Sequence, residues 1–113
     1  MRNRTFVRAQ RKHWALPQNE LARLLGRSPA RLSRYESGED PPDLETALAL
    51  QVVFGVSPRR FFPSLYTTIE EAVMGRAAEL DQRLSGKIGY AADRQRRMLE
   101  AMAHRAGQPL DRA

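Results

Sequence analysis

Apolar residues recur at intervals of three and four along most of the chain, and no segment alternates apolar and polar residues as a strand would. This spacing is typical of amphipathic helices, and glycine, proline and serine residues separate one helix from the next. The pattern predicts helices at about 5–13, 18–26, 28–37, 43–54 and 57–62. Short helices with connections of this length indicate one compact all-α domain over residues 1–65.

A second pattern covers residues 66–113. Thr67 and Thr68 each stand three residues before a glutamate, and this spacing of a capping box predicts a helix start. Two apolar stripes follow, separated at Ser85-Gly86, the second beginning at Ile88 and fading at 107–109. We interpret them as an amphipathic helical pair that forms a homodimer or docks within its own chain. The candidate contact residues are Ile69, Val73, Leu80, Leu84, Ile88, Met98, Leu99 and Met102.

The stretch QNELARLLGRSPARLSRYESG, residues 18–38, meets the requirements of a helix-turn-helix. Ala22 is small where the second helix crosses the first, and Gly26 permits positive φ at the turn. Ser28 is suited to cap the second helix, and Pro29 to be its first residue, because proline has no N–H to satisfy there. Apolar residues stand where the shared core requires them, at Leu21, Leu25, Leu32 and Tyr35.

The charge indicates a polyanionic partner. The formal net charge is +6, from 19 basic and 13 acidic residues, and 17 of the basic residues are arginine. Residues 1–65 carry +5 and residues 66–113 only +1. The basic excess therefore lies with the helix-turn-helix, which favours DNA over a membrane surface, although a GC-rich genome would also enrich arginine.

Several functional classes have no support in the sequence. The chain lacks cysteine, and His13 and His104 are too far apart in sequence to suggest a metal site. Paired catalytic carboxylates, a phosphate-cradling glycine loop and a nucleophile with its base are not evident, so we expect no enzyme and no cofactor. No apolar run approaches the roughly 18 residues of a membrane span, and no signal peptide is evident. We expect a cytoplasmic protein.

The segments LPQNELARLLG, SRYESGEDPP, DLETALAL and FGVSPRRFF resemble the Xre/Cro family of lambda-repressor-like domains over about residues 6–62. The resemblance implies a five-helix domain that dimerises on an inverted-repeat operator with its third helix in the major groove. It also implies that Gln18 holds a backbone phosphate at the start of the second helix. The residues that it places at or near base edges are Ser28, Pro29, Ala30, Ser33 and Arg34.

Side-chain chemistry separates the predicted readers from the predicted phosphate contacts. Arg34 is the main candidate reader, because arginine can donate two hydrogen bonds to guanine O6 and N7. Arg31, Arg27 and Arg11 are assigned to phosphate, contacts that position the protein without reading sequence. The chain departs from the family at Pro17, which removes a usual helix cap, at Arg27, whose stem we expect to cover the core with its guanidinium toward DNA, and at Asp40, which weakens a phosphate clamp.

The predicted fourth helix is apolar nearly all round, so more than one of its sides must be covered. We expect Val52 and Val53 to contact the C-terminal helices or a second subunit. The main interpretation is a homodimeric transcriptional repressor. An antitoxin with a toxin partner and an interaction module without DNA binding remain as alternatives.

Overall fold

The computed structural model describes residues 5–107, and its secondary structure over that range is helical, without strands. The prediction of an all-α fold is confirmed. The predicted outer limits at residues 1 and 113, and residues 108–109 at the end of the last helix, lie outside the described range. The helices are α1 (Val7–His13), α2 (Gln18–Leu25), α3 (Pro29–Ser37), α4 (Leu44–Phe54), α5 (Pro58–Phe61), α6 (Pro63–Leu84) and α7 (Tyr90–Ala106).

The described chain divides into two compact units, which we call the N-terminal unit, ending at Tyr66, and the C-terminal unit, beginning at Thr67. The core of the N-terminal unit draws on each of α1 to α5. Val7, Leu21, Leu32 and Leu50 are fully buried, and Phe61 is 1% exposed. Burial of these side chains supplies most of the favourable free energy that holds the short helices together, because helices of this length are marginal alone.

The crossing of α2 and α3 follows the predicted pattern. Ala22 is buried where the two helices pack, and Gly26 ends α2 in the left-handed conformation, with φ 68° and ψ 34°. The Ser28 hydroxyl accepts a hydrogen bond from the N–H of Arg31, and Pro29 is the first residue of α3. The predicted helix-turn-helix geometry is confirmed at these positions.

Helix α4 is apolar on two sides, but the N-terminal core covers only one of them. Leu50 is buried and Val53 is half-buried against that core. On the other side, Leu44, Leu48 and Val52 follow one another at intervals of four, and Val52 is 85% exposed. These three side chains form an exposed apolar stripe, which we call the α4 stripe.

Helix α6 begins at Pro63, so the prediction of a start at Thr67 or Thr68 is wrong. Phe62 ends α5 with φ −128° and ψ 62°, outside the helical range. Proline fits the first turn of the next helix because the N–H that it lacks would have no partner within the helix there. Leu65, in that first turn, packs against the N-terminal core and favours the early start. The capping-box spacing therefore falls inside a helix.

The second apolar stripe begins later than predicted. Helix α7 starts at Tyr90, because Gly89 has φ 118°, a conformation that side-chain-bearing residues rarely adopt. Ile88 lies before the helix, so the prediction that it begins the helical stripe is wrong. Its side chain is 94% exposed, and its contact role stays a prediction. Arg96 closes the α6–α7 connection by donating from Nη2 to the carbonyl oxygens of Leu84 and Lys87.

The other predicted contact residues of the C-terminal unit differ in burial. Leu84 is buried. Ile69, Val73 and Met98 are exposed by 52%, 41% and 47%. The remaining predicted residues are half-buried, namely Leu80, Leu99 and Met102.

Candidate nucleic-acid interface

The outward face of α3 carries every side chain predicted to reach a base edge. Leu32 and Tyr35 point into the core and are buried, which turns the opposite side of the helix to solvent. That side is polar or small and has no bulky apolar residue, as a surface that enters a groove requires. Its exposed residues, including the cap, are Ser28, Pro29, Ala30, Arg31, Ser33 and Arg34.

Arg34 is held at the end of this face by an ion pair. Its Nε donates to Oδ2 of Asp40 at 2.7 Å, and both side chains are 47% exposed. The Nη groups supply four further N–H donors, because a guanidinium has five in all. The sequence indicates only that Asp40 is an acid that weakens a phosphate clamp. It does not reveal the contact between Asp40 and Arg34.

A buried carboxylate on the inner edge of α3 joins three parts of the N-terminal unit. The side chain of Glu36 is 4% exposed and accepts from Arg11 Nε at 2.7 Å and from Arg11 Nη2 at 3.2 Å. The same carboxylate accepts from Gln18 Nε2 at 2.9 Å, and the carbonyl oxygen of Glu36 accepts from the Thr5 hydroxyl at 2.8 Å. Such a two-pronged, charge-assisted pair fixes geometry strongly.

This network changes how two predicted phosphate contacts are understood. The Arg11 side chain is 12% exposed, and its Nη1 donates to the carbonyl oxygen of Leu16 at 3.0 Å. Three of the five N–H donors of Arg11 are therefore used within the chain. Gln18 donates one amide N–H to Glu36, and its second amide N–H is available for another acceptor, since a primary amide has two. The network therefore orients Gln18 at the start of α2, where helix amides attract phosphate.

A polar cleft of about 320 Å³ opens beside α3. Arg8 borders it from α1, is exposed, and has no hydrogen bond or ion pair with the described residues. The sequence interpretation missed Arg8. Its position three residues before Arg11 was the available signal, because that spacing puts both on one face of α1. The lining residues are Arg8, Arg11, Gln18, Ser33, Glu36 and Ser37.

Arg27 contacts the start of α4. Its Nε donates to the buried Thr46 hydroxyl at 3.0 Å, and its Nη2 donates to Oδ2 of Asp43 at 2.9 Å. Asp43 caps α4 by accepting from the N–H of Thr46 at 3.2 Å. Hydrogen bonds from Thr46, with help from Arg27, lower the pKa of Asp43 to about 2, and the Asp43 carboxylate in turn raises the pKa of Arg27. Arg27 itself lies between α2 and α3, and its contact with a DNA phosphate stays a prediction.

Residues 7–61 match the family model described as helix-turn-helix, of the Cro/C1 type. Residues 7–61 form a domain of this helix-turn-helix family. The resemblance to Xre-like regulators is thereby confirmed, and the Cro/C1-type domain is one that binds double-stranded DNA and regulates transcription. This family is regulatory and not typically enzymatic. Neither a curated protein nor a solved structure matches the chain.

Among residues 5–107, no three acidic, histidine or cysteine side chains are grouped so as to hold a metal ion. No helix in the same range combines the length and apolar character needed to cross a bilayer.

Arg31 remains the most accessible of the predicted phosphate contacts in the helix-turn-helix domain. Its guanidinium carbon lies 5.8 Å from the centre of the Tyr35 ring, within cation–π distance. Its backbone N–H is used by the Ser28 cap. Arg31 and Arg8 are thus exposed arginines without an ion pair among the described residues, one on α3 and one on α1.

Proposed function

We propose that this protein is a sequence-specific transcriptional repressor of the cytoplasm that binds an inverted-repeat operator as a homodimer. Helix α3 enters the major groove in this proposal. The observation that carries it is the division of α3 into a buried apolar side and an exposed side that ends in Arg34. The groove accepts a helix of this kind, and the exposed side chains then face base edges.

The base contacts are divided by chemistry. Arg34 reads guanine through its Nη groups, and Ser28 and Ser33 supply hydroxyl groups that donate or accept. Pro29 and Ala30 have no side-chain hydrogen bond to offer, so they contact a thymine methyl group or set the depth of α3 in the groove. Hydrogen-bond readout is therefore concentrated in few side chains.

The phosphate contacts are divided by the structure's hydrogen bonds. Gln18 and Arg31 keep the predicted role, and Arg8 is added because it borders the polar cleft without an ion partner. Arg11 and Arg27 are proposed to hold the domain together beneath these contacts, since their donors bind Glu36 and Asp43. A net charge of +5 on residues 1–65 supports attraction to the phosphate backbone.

The homodimer is proposed to form through the C-terminal unit. Helices α6 and α7 line one groove, and Ile69, Val73 and Met98 are exposed on these helices. A second copy of this helical pair would cover them in a four-helix arrangement. The α4 stripe, with Val52 at its end, is a further apolar surface that assembly would cover.

An antitoxin is the second candidate function. It is favoured by a groove in the C-terminal unit, lined by Met74, Ala77, Asp81, Arg96 and Leu99 among others, which suits a protein partner as well as a second copy. A small toxin-like reading frame next to the gene would favour this function. A repressor without a toxin would lack such a neighbour.

Selection of bound sites from random DNA tests the proposed function. The wild-type chain should enrich an inverted repeat, and Arg34→Ala should lose preference at one base pair in each half-site, because a good bidentate contact is worth about 1–3 kcal/mol of discrimination. Arg60→Ala, an exposed change on α5, serves as the matched arginine control and should keep the motif. Failure of the wild type to enrich any site would contradict the proposed function. An unchanged motif in Arg34→Ala with uniformly weaker binding would make Arg34 a phosphate contact.

A further inference from the structure

The ion pair between Arg34 and Asp40 joins the predicted reader to the loop that follows α3. The bond from Arg34 Nε to Asp40 Oδ2 is short, at 2.7 Å, as charge-assisted hydrogen bonds are. Both side chains are half exposed, and exposed ion pairs contribute little to folding stability. The ion pair is therefore not needed to hold the fold together, and its main effect is on the orientation of Arg34.

The backbone sets the position of Asp40 relative to Arg34. Gly38 ends α3 in the left-handed conformation, with φ 79° and ψ 10°. The Arg34 carbonyl oxygen then accepts from the N–H of Glu39 at 3.0 Å and from the N–H of Asp40 at 3.2 Å. Pro41 follows directly, and a residue before proline has few backbone conformations. Asp40 is thus bound to Arg34 through both its backbone and its side chain.

The atom that Asp40 binds determines which donors Arg34 offers to DNA. A guanidinium has five N–H groups, one on Nε and two on each Nη. Asp40 takes the Nε hydrogen, so the two Nη groups form the free end of the fork. Guanine presents O6 and N7 side by side in the major groove and accepts from such an end-on pair. An arginine that is already held in one orientation loses less conformational entropy when it binds.

We propose that Asp40 is a positioning residue, which holds the Arg34 fork so that it discriminates guanine from other bases. This inference rests on the proposed function, in which Arg34 reads a base. Asp40 also places a negative charge near the DNA backbone, which weakens binding to any sequence. Removing Asp40 therefore has two effects of opposite sign: stronger binding to DNA in general and weaker discrimination at one base pair.

The neighbouring Glu39 provides a matched control for the charge. Glu39 is exposed in the same loop, and its backbone N–H, rather than its carboxylate, makes its hydrogen bonds. Glu39→Ala removes the same charge as Asp40→Ala without touching the Arg34 guanidinium. Asp40→Asn removes the charge but keeps a side-chain oxygen that can accept from Nε.

The test compares affinity for the selected operator with affinity for an operator in which the base pair assigned to Arg34 is changed. Asp40→Ala should lower the ratio of the two affinities by about fivefold or more, within the range that a bidentate contact supplies. It should also raise affinity for an unrelated duplex. Glu39→Ala should raise all affinities together and keep the ratio, and Asp40→Asn should restore most of it. Circular dichroism and thermal unfolding check that each variant is folded.

Each result decides the proposal. An Asp40→Ala variant that behaves like Glu39→Ala would overturn the positioning role and leave the repressor function intact. A wild-type chain that binds its site but is insensitive to the changed base pair would also overturn it, because Arg34 would then not be a reader. A wild type without any preferred site would instead reject the proposed function itself.

Discussion

The two units differ in how much apolar surface each one buries by itself. The N-terminal unit encloses a core drawn from α1 to α5, in which Val7, Leu21, Leu32 and Leu50 are among the fully buried side chains. In the C-terminal unit, only Leu84 and Ala92 among the described apolar residues are buried. A layer of helices is stable when its apolar stripe meets another surface. The N-terminal unit has that surface within itself, whereas the proposed homodimer would supply it to the C-terminal helical pair.

Charge separates the same two parts of the chain. Residues 1–65 carry +5 and residues 66–113 carry +1. The unit with its own core thus also holds the electrostatic attraction for DNA, and the unit with exposed apolar faces is nearly neutral. A highly basic hairpin would repel its own copy, so near-neutrality suits an assembly element.

Removal of the C-terminal unit should have the largest effect, because it removes the proposed assembly surface outright. A chain lacking residues 67–113 should change from dimer to monomer in light scattering, or aggregate through the uncovered α4 stripe. Met98→Glu in the full chain should weaken the dimer as well, because it places a charge in an apolar contact. Gln82→Glu, which adds the same charge at an exposed polar position of α6, is the control. An unchanged dimer after the deletion would contradict the assembly proposal.

Loss of the Glu36 carboxylate should strongly destabilise the N-terminal unit. Glu36→Ala leaves the Arg11 guanidinium buried without its counter-charge, which costs about 3–5 kcal/mol. The free energy of unfolding, from urea titration followed by circular dichroism, measures the effect. Glu39→Ala removes an exposed acid three residues later and should change stability by less than about 0.5 kcal/mol. Equal stabilities of the two variants would show that the buried network does not hold α1 and α2 to α3.

Lowering the pH should reduce the free energy of unfolding of the N-terminal unit through Asp43. We expect this effect to be smaller than that of losing the Glu36 carboxylate. Its pKa is lowered from 3.8 to about 2 in the folded chain, so the folded state binds this proton less readily than the unfolded state. The stabilisation is present above about pH 4 and is lost as the pH falls toward 2. Asp43→Asn should flatten this part of the curve of unfolding free energy against pH. The same slope in wild type and variant would assign the acid sensitivity to other groups.

The helix-turn-helix could be predicted from sequence because its requirements are local. The helix crossing, the turn and the cap each depend on residues that lie close together in sequence. The structure confirms the predicted roles of Ala22, Gly26 and the Ser28-Pro29 pair. The start of α6 was missed for the opposite reason. A capping-box spacing also occurs inside helices, and the contact of Leu65 with the N-terminal core decides where this helix begins.

The partners of the arginines could not be predicted, because they come from distant parts of the chain. Arg11 and Glu36 are separated by 25 residues, and Arg27 and Thr46 by 19. Only the fold brings them together. One signal was available for Glu36, which lies one helical turn beyond the buried Leu32 and therefore near the inner side of α3.

The buried Glu36 network and the exposed side of α3 share no residue among the predicted base contacts. This matters for attempts to change the DNA sequence that the protein binds. Glu36 ties α3 to its neighbours from beneath, whereas Pro29, Ala30 and Ser33 face solvent and take no part in the core. Their replacement should alter operator preference with little penalty in folding, since exposed substitutions seldom change stability much. The scaffold can thus be diversified at its surface while its interior stays the same. A library confined to these three positions would be a compact route to variants with new operators.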